Sequence, residues 1–199
     1  MAGSGHLDPA APDDDADRLF AEDVAELGYV MNASRIWAYQ PRMLTGLFDL
    51  MGMATSAARL TLRQRGILVA ATCSALGDSY CCLAWGSRLA RASTARTAAD
   101  VILGNDHRLT TEERALAAWA RAVTRDASHT TEADVQALRD VGFDDAGIFA
   151  ITAFISLRIA LASVNDALGA RPDAALRHTT PPAVLQAITF GRPIDDAPD

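Results

Sequence analysis

From Asp144 to Leu168 the chain carries Ile148, Phe149, Ile151, Phe154, Ile155, Ile159 and Leu161 around most of the circumference of one helix. A helix without a broad polar face is stable only inside a domain or shared between subunits, so other elements must be built around it. The remaining sequence supplies helices to do so. An apolar stripe at Leu19, Phe20, Val24, Leu27 and Val30 has helical spacing over Leu19 to Met31. Pro41 suits the first turn of a second helix, where its missing N–H is not needed. Leu60 to Leu76 and Asp78 to about Ala92 read as two more, separated by Gly77. Thr110 or Thr111 caps a helix through Val123, and Thr130 or Thr131 caps one through Val141 that ends at Gly142. Asp144 or Asp145 starts the apolar helix itself. Alternating Val, Ile and Thr runs joined by hairpin turns are missing. The predicted fold is therefore all-α, with the helical domain over 18–170.

Acidic and proline-rich segments flank that domain. Residues 1–17 carry Asp13-Asp14-Asp15 and no apolar stretch of the kind a secretory signal needs, so they are expected to be a disordered acidic leader. Residues 171–199 form a tail with five prolines, Pro172, Pro181, Pro182, Pro193 and Pro198, expected to wrap the surface with one short helix near Val184 to Phe190. No apolar run is read as a membrane span, and a cytoplasmic location follows as the expectation.

Charge and composition exclude several functions. A net charge of −7 with scattered arginines disfavours nucleic acid. The chain has no lysine at all, which rules out a Schiff-base nucleophile, a pyridoxal-phosphate anchor and a Walker-type phosphate loop. Its three cysteines, Cys73, Cys81 and Cys82, cannot make a disulfide framework. His6, His107, His129 and His178 lie outside the cysteine segment and share no ligand spacing with it, so no metal and no other cofactor is expected.

The segment Leu62-Arg63-Gln64-Arg65-Gly66-Ile67-Leu68-Val69-Ala70-Ala71-Thr72-Cys73-Ser74-Ala75-Leu76-Gly77-Asp78-Ser79-Tyr80-Cys81-Cys82-Leu83-Ala84-Trp85 resembles the core repeat of the AhpD-like and carboxymuconolactone decarboxylase superfamily. Tyr29 to Asn32, Pro41 to Leu44, Leu109 to Leu116 and Thr130 to Gly142 resemble further blocks of its peroxidase-related branch, and the likeness runs over about residues 25–173. The resemblance implies an AhpD-like helical fold assembled as a homo-oligomer. It also implies a site made of a Glu, a Cys-x-x-Cys and a His four residues after the second cysteine. On that pattern the Glu falls on Gly66, the first cysteine on Asp78, the second on Cys81 and the His on Trp85.

Three of those four positions have lost their chemistry. In the peroxidase branch the Glu and His form a proton relay, and the cysteine matching Cys81 attacks the peroxide before the other resolves it. Neither Gly66 nor Trp85 titrates. Asp78, three residues before Cys81, disfavours a second negative charge there. Cys82 is too close for an ordinary bridge, and Cys73 lies about 12 Å away along an unbroken helix, a separation that a bend at Gly77 would shorten. An efficient dithiol peroxidase is therefore not expected.

Three readings stay open. In the first, Asp78 and Cys81 are catalytic, with Tyr80, Trp85 and Arg158 binding a small organic substrate that is isomerised, cyclised or cleaved by acid–base chemistry. In the second, Asp78 only caps a helix, the cysteines are small core residues and Arg158 makes an interface salt bridge, giving a silent binding or scaffold protein. The third is a residual one-cysteine alkylhydroperoxidase using Cys81.

Overall fold

The structure, a computed structural model, describes residues 5–196. Eleven α-helices follow one another among these residues, with no strand. They are α1 (Asp14–Leu27), α2 (Asn32–Trp37), α3 (Pro41–Ala57), α4 (Leu62–Leu76), α5 (Ser79–Ala92), α6 (Ala95–Ile102), α7 (Thr111–Asp126), α8 (Glu132–Arg139), α9 (Asp145–Ala167), α10 (Leu176–Thr179) and α11 (Pro182–Ala187). A 3-10 turn at Ala127–His129 joins α7 to α8.

Local signals set most of these boundaries. Thr61 and Gln64 form a reciprocal capping box at α4, as do Thr110 with Glu113 at α7 and Thr131 with Asp134 at α8. Asp144 caps α9 by accepting from the Gly147 amide. The expected stop at Gly77 is present, with φ at 81° in the left-handed region that suits a residue without Cβ. Arg63 reaches across from α4 to bind Glu113 of α7 through two hydrogen bonds, so the α7 capping box also docks the two helices.

At the centre lies α4, buried continuously from Gly66 to Cys73. It packs on α5, α6, α7 and α9, while α3 lies along α9. The expectation that no segment reaches the length of a membrane span is corrected here: α9 is 23 residues long and holds an 18-residue stretch with a mean hydropathy of 2.0, long and apolar enough by composition. Half of that stretch is buried in the bundle, where Arg158 and Asn165 also sit. Its apolar circumference serves contacts with α3, α4 and α7.

Both flanking segments are drawn into this bundle. The acidic run expected in a disordered leader instead opens α1: Asp13 caps it, and Asp14, Asp15 and Asp17 occupy the first turn, where carboxylates complement the exposed N–H groups. Upstream, the His6 amide donates to the Leu168 carbonyl. In the tail, α11 places Val184 and Ala187 in the core against α5 and α6 rather than on the surface. Gly86 of α5 admits that contact, because a Cβ there would lie 2.6 Å from Val184.

Candidate active site

The turn between α4 and α5 is built by three hydrogen bonds. The Asp78 amide donates to the Cys73 carbonyl at 2.9 Å, and the Gly77 amide donates to Ser74 at 3.3 Å, closing α4. Asp78 then opens α5, its Oδ1 accepting from the Cys81 amide at 3.0 Å. Asp78 is thus tied to the backbone of both cysteines. The chain reverses so sharply that the Cys73 and Cys81 sulfurs and an Asp78 carboxylate oxygen all lie within 4.8 Å of one another. The separation expected for an unbroken helix is corrected by the left-handed Gly77.

This cluster is closed. Asp78 is 0 % exposed, Cys73 0 % and Cys81 7 %. Asp78 Oδ2 has no hydrogen-bond partner among the described residues, an expensive condition for a buried carboxylate. The contact with Cys81, then burial, pushes the Cys73 thiol well above its ordinary value. Burial does the same to Cys82, reinforced by Asp78. Two sulfurs and a carboxylate oxygen are also a donor set for a thiophilic divalent cation. Cysteine and histidine spacing in the sequence gave no sign of it, since the carboxylate joins only through the fold.

Asp166, in the last turn of α9, went unnoticed in the sequence. It is half-buried, and its pKa rises to about 6 through burial and then the Asp78 charge, with Arg192 opposing. A carboxyl group of that strength beside a buried carboxylate is placed to exchange a proton with solvent. The C-terminal strap covers the same turn. Ser79 Oγ donates to the Arg192 carbonyl at 2.6 Å, and Arg192 donates to the Asp166 carbonyl at 2.9 Å. Gly191 presses so closely that a Cβ there would lie 2.6 Å from the Gly77 carbonyl oxygen.

Of the expected substrate-binding residues, Tyr80 is not with the cluster. Its hydroxyl donates to Asp173 at 2.5 Å and accepts from the Ala33 amide at 3.3 Å, tethering α5 to α2 and the tail. It packs in a second apolar group with Ile36, Leu83, Ala170 and Leu176, because one residue's step turns the helix about 100° away from Cys81. Trp85, one turn beyond Cys81, is half-buried, and the Arg158 guanidinium lies 5.4 Å from its ring centre. Trp37 and Trp119 serve the core, donating to Asn165 at 2.9 Å and Thr152 at 3.0 Å. Asp106 takes a two-pronged contact from Arg121.

No family model matches the sequence, and no curated protein matches it. Solved structures do. A peroxidase-related protein with an alkylhydroperoxidase AhpD core from Ralstonia eutropha JMP134 superposes with a TM-score of 0.75 at 21% identity, covering 96% of this chain and 100% of that one. One from Silicibacter sp. TM1040 gives 0.75 at 21%, covering 88% and 95%. The debrominase Bmp8, as a cysteine-to-alanine variant with 2,3,4-tribromopyrrole, gives 0.69 at 19%, covering 87% and 95%. The fold is that of the AhpD-like proteins.

Proposed function

We propose that this chain is a small-molecule enzyme of the AhpD-like family whose reactive centre is the α4–α5 turn. Cys81 is the working thiol, Asp78 takes its proton, and Cys73 is the second thiol. The observation that carries this is the approach of both sulfurs and the Asp78 carboxylate to within 4.8 Å. Such a dithiol suits the two-electron reduction of a small electrophile R–X. Cys81 attacks X and expels R with the bonding pair, and R leaves as R–H with a proton passed through Asp78. Cys73 then attacks the Cys81 sulfur, forming the disulfide and releasing X as H–X. Two external thiols then restore the pair and leave joined as their own disulfide. Peroxidase-related proteins and a debrominase share the fold, which supports a bond of this kind as the target. Isomerisation, cyclisation and cleavage would leave Asp78 in the same role but leave no disulfide.

The silent reading draws on the closed packing, since Asp78 is 0 % exposed under the Gly191 strap. Hydrogen peroxide added to the reduced protein separates the two. Peptide mass analysis should show loss of two hydrogens across Cys73 and Cys81, retained in Cys82→Ser, absent in Cys73→Ser and several-fold slower in Asp78→Asn. Oxidation confined to Cys82, or an Asp78→Asn rate equal to wild type, leaves the silent reading standing. Asp78 still caps the helix as Asn, so slower oxidation would report on the proton and not the fold.

A further inference from the structure

Two arginines are buried among the described residues, Arg121 and Arg158, and only Arg121 has oxygen partners. Arg121, 9 % exposed, binds both Asp106 oxygens at 2.6 and 3.0 Å and the Val101 carbonyl at 2.9 Å. The partly exposed Arg63 binds both Glu113 oxygens. Arg158 is the more deeply buried of the two and differs from Arg121. It is 4 % exposed in the middle of α9, its Nε has no hydrogen bond, and no carboxylate among the described residues pairs with it. Its neighbour is the Trp85 ring, and Arg88 lies over that same ring at 5.1 Å. The carboxylate beside Arg88, Glu26, is 3.7 Å away and 73 % exposed, which offers weak compensation. Two guanidiniums therefore converge on one indole without a buried anion between them. A buried charge is retained against its desolvation cost only where something pairs with it.

We propose that Arg158, Arg88 and Trp85 bind a small aromatic carboxylate. The planar guanidinium fork matches the two carboxylate oxygens, and the half-buried indole adds apolar contact for the ring. Trp85 follows Cys81 by four residues on one face of α5, so the bound molecule lies one turn from the thiol. This names a substrate class for the reactive centre proposed above and rests on its small-molecule reading, but it needs no thiol step. Binding is measured equally well in Cys81→Ser, and peroxide oxidation of the dithiol is measured with no carboxylate present.

The test is titration of the full chain with benzoate, using benzamide as its uncharged counterpart, read by tryptophan fluorescence and melting temperature. Benzoate should give a saturable fluorescence change that disappears in Trp85→Phe, and benzamide should bind at least about tenfold more weakly. Arg88→Gln, changed at a half-exposed side chain, should fold normally and weaken benzoate several-fold. Arg158→Met should abolish the response and, without ligand, raise the melting temperature, because an uncompensated buried charge is gone. Equal binding of benzamide and benzoate would overturn the proposal, as would binding of inorganic phosphate with none of benzoate. A lower melting temperature together with loss of assembly in Arg158→Met would also overturn it, by making Arg158 an interface group.

Discussion

Gly66 of α4 faces Leu89 of α5 so closely that an added side chain would meet atoms fixed by the backbone. A Cβ at Gly66 would lie 3.0 Å from Leu89 Cβ, 3.2 Å from its Cδ1 and 3.3 Å from its Cα. Leu89 is fully buried, and rotating its side chain moves neither Cα nor Cβ, so relief requires α4 and α5 to separate. Overpacking of this kind costs about 1–3 kcal/mol. Helix propensity opposes it, since Ala is favoured over Gly by about 0.8–1.0 kcal/mol in a helix interior. Gly52 of α3 isolates the two effects, because a Cβ there meets nothing within 4 Å. Gly52→Ala is expected to stabilise by up to about 1 kcal/mol, and Gly66→Ala to be neutral or up to about 2 kcal/mol destabilising. Propensity cancels in the comparison, leaving the overpacking cost of about 1–3 kcal/mol between the two variants. With a urea slope of about 2 kcal/mol/M, their midpoints should differ by roughly 0.5–1.5 M. Equal midpoints, or a higher one for Gly66→Ala, would refute the close-packing argument.

Asp166 predicts a pH dependence of stability. Its folded pKa of about 6 lies above the ordinary 3.8, so the folded protein holds this proton more tightly than the unfolded chain. The neutral form's advantage is present below pH 4 and lost as pH rises through 6, so Asp166→Asn should stabilise above pH 6 and not at pH 4. Partial exposure reduces the expected gain to about 1 kcal/mol; an equal gain at pH 4 and pH 8 would remove the charge as its cause. Self-association is expected because Phe149 is 76 % exposed, Met53 68 % and Met43 62 %. Light scattering should give a mass above the 21.1 kDa monomer, reduced by Phe149→Glu, and a monodisperse wild-type monomer would end that expectation.

Sequence reasoning reached the elements whose ends carry their own chemistry. Capping threonines, Gly77 and the Asp144 start were visible because each acts on backbone groups within a few residues. The helices α2 and α6, of 6 and 8 residues, were missed because each falls short of the roughly 11-residue window over which helical spacing is read, although α6 is amphipathic. The acidic run before α1 was read as leader composition, although the same charges favour a helix start. At the site, Asp78 and Cys81 come together through a local cap that the sequence announced. Cys73 joins them because Gly77 turns the chain back, the shortening that a bend at that glycine was expected to bring. Tyr80 shows the reverse: adjacency to Cys81 in sequence placed it on another face. The unpaired charge of Arg158 depends on contacts between distant helices, which linear spacing does not encode.

The strap of Gly191 and Arg192 also fixes when the reactive turn becomes protected. Residues 73–81 emerge early from a ribosome, whereas the segment that closes over Gly77 and Ser79 is made more than a hundred residues later. Throughout that interval the helices can assemble but the cover cannot form. Until residues 191 and 192 are made, the Gly77 and Ser79 backbone that they cover stays open to the surroundings, and a ribosome stalled before residue 191 would hold the turn in that state.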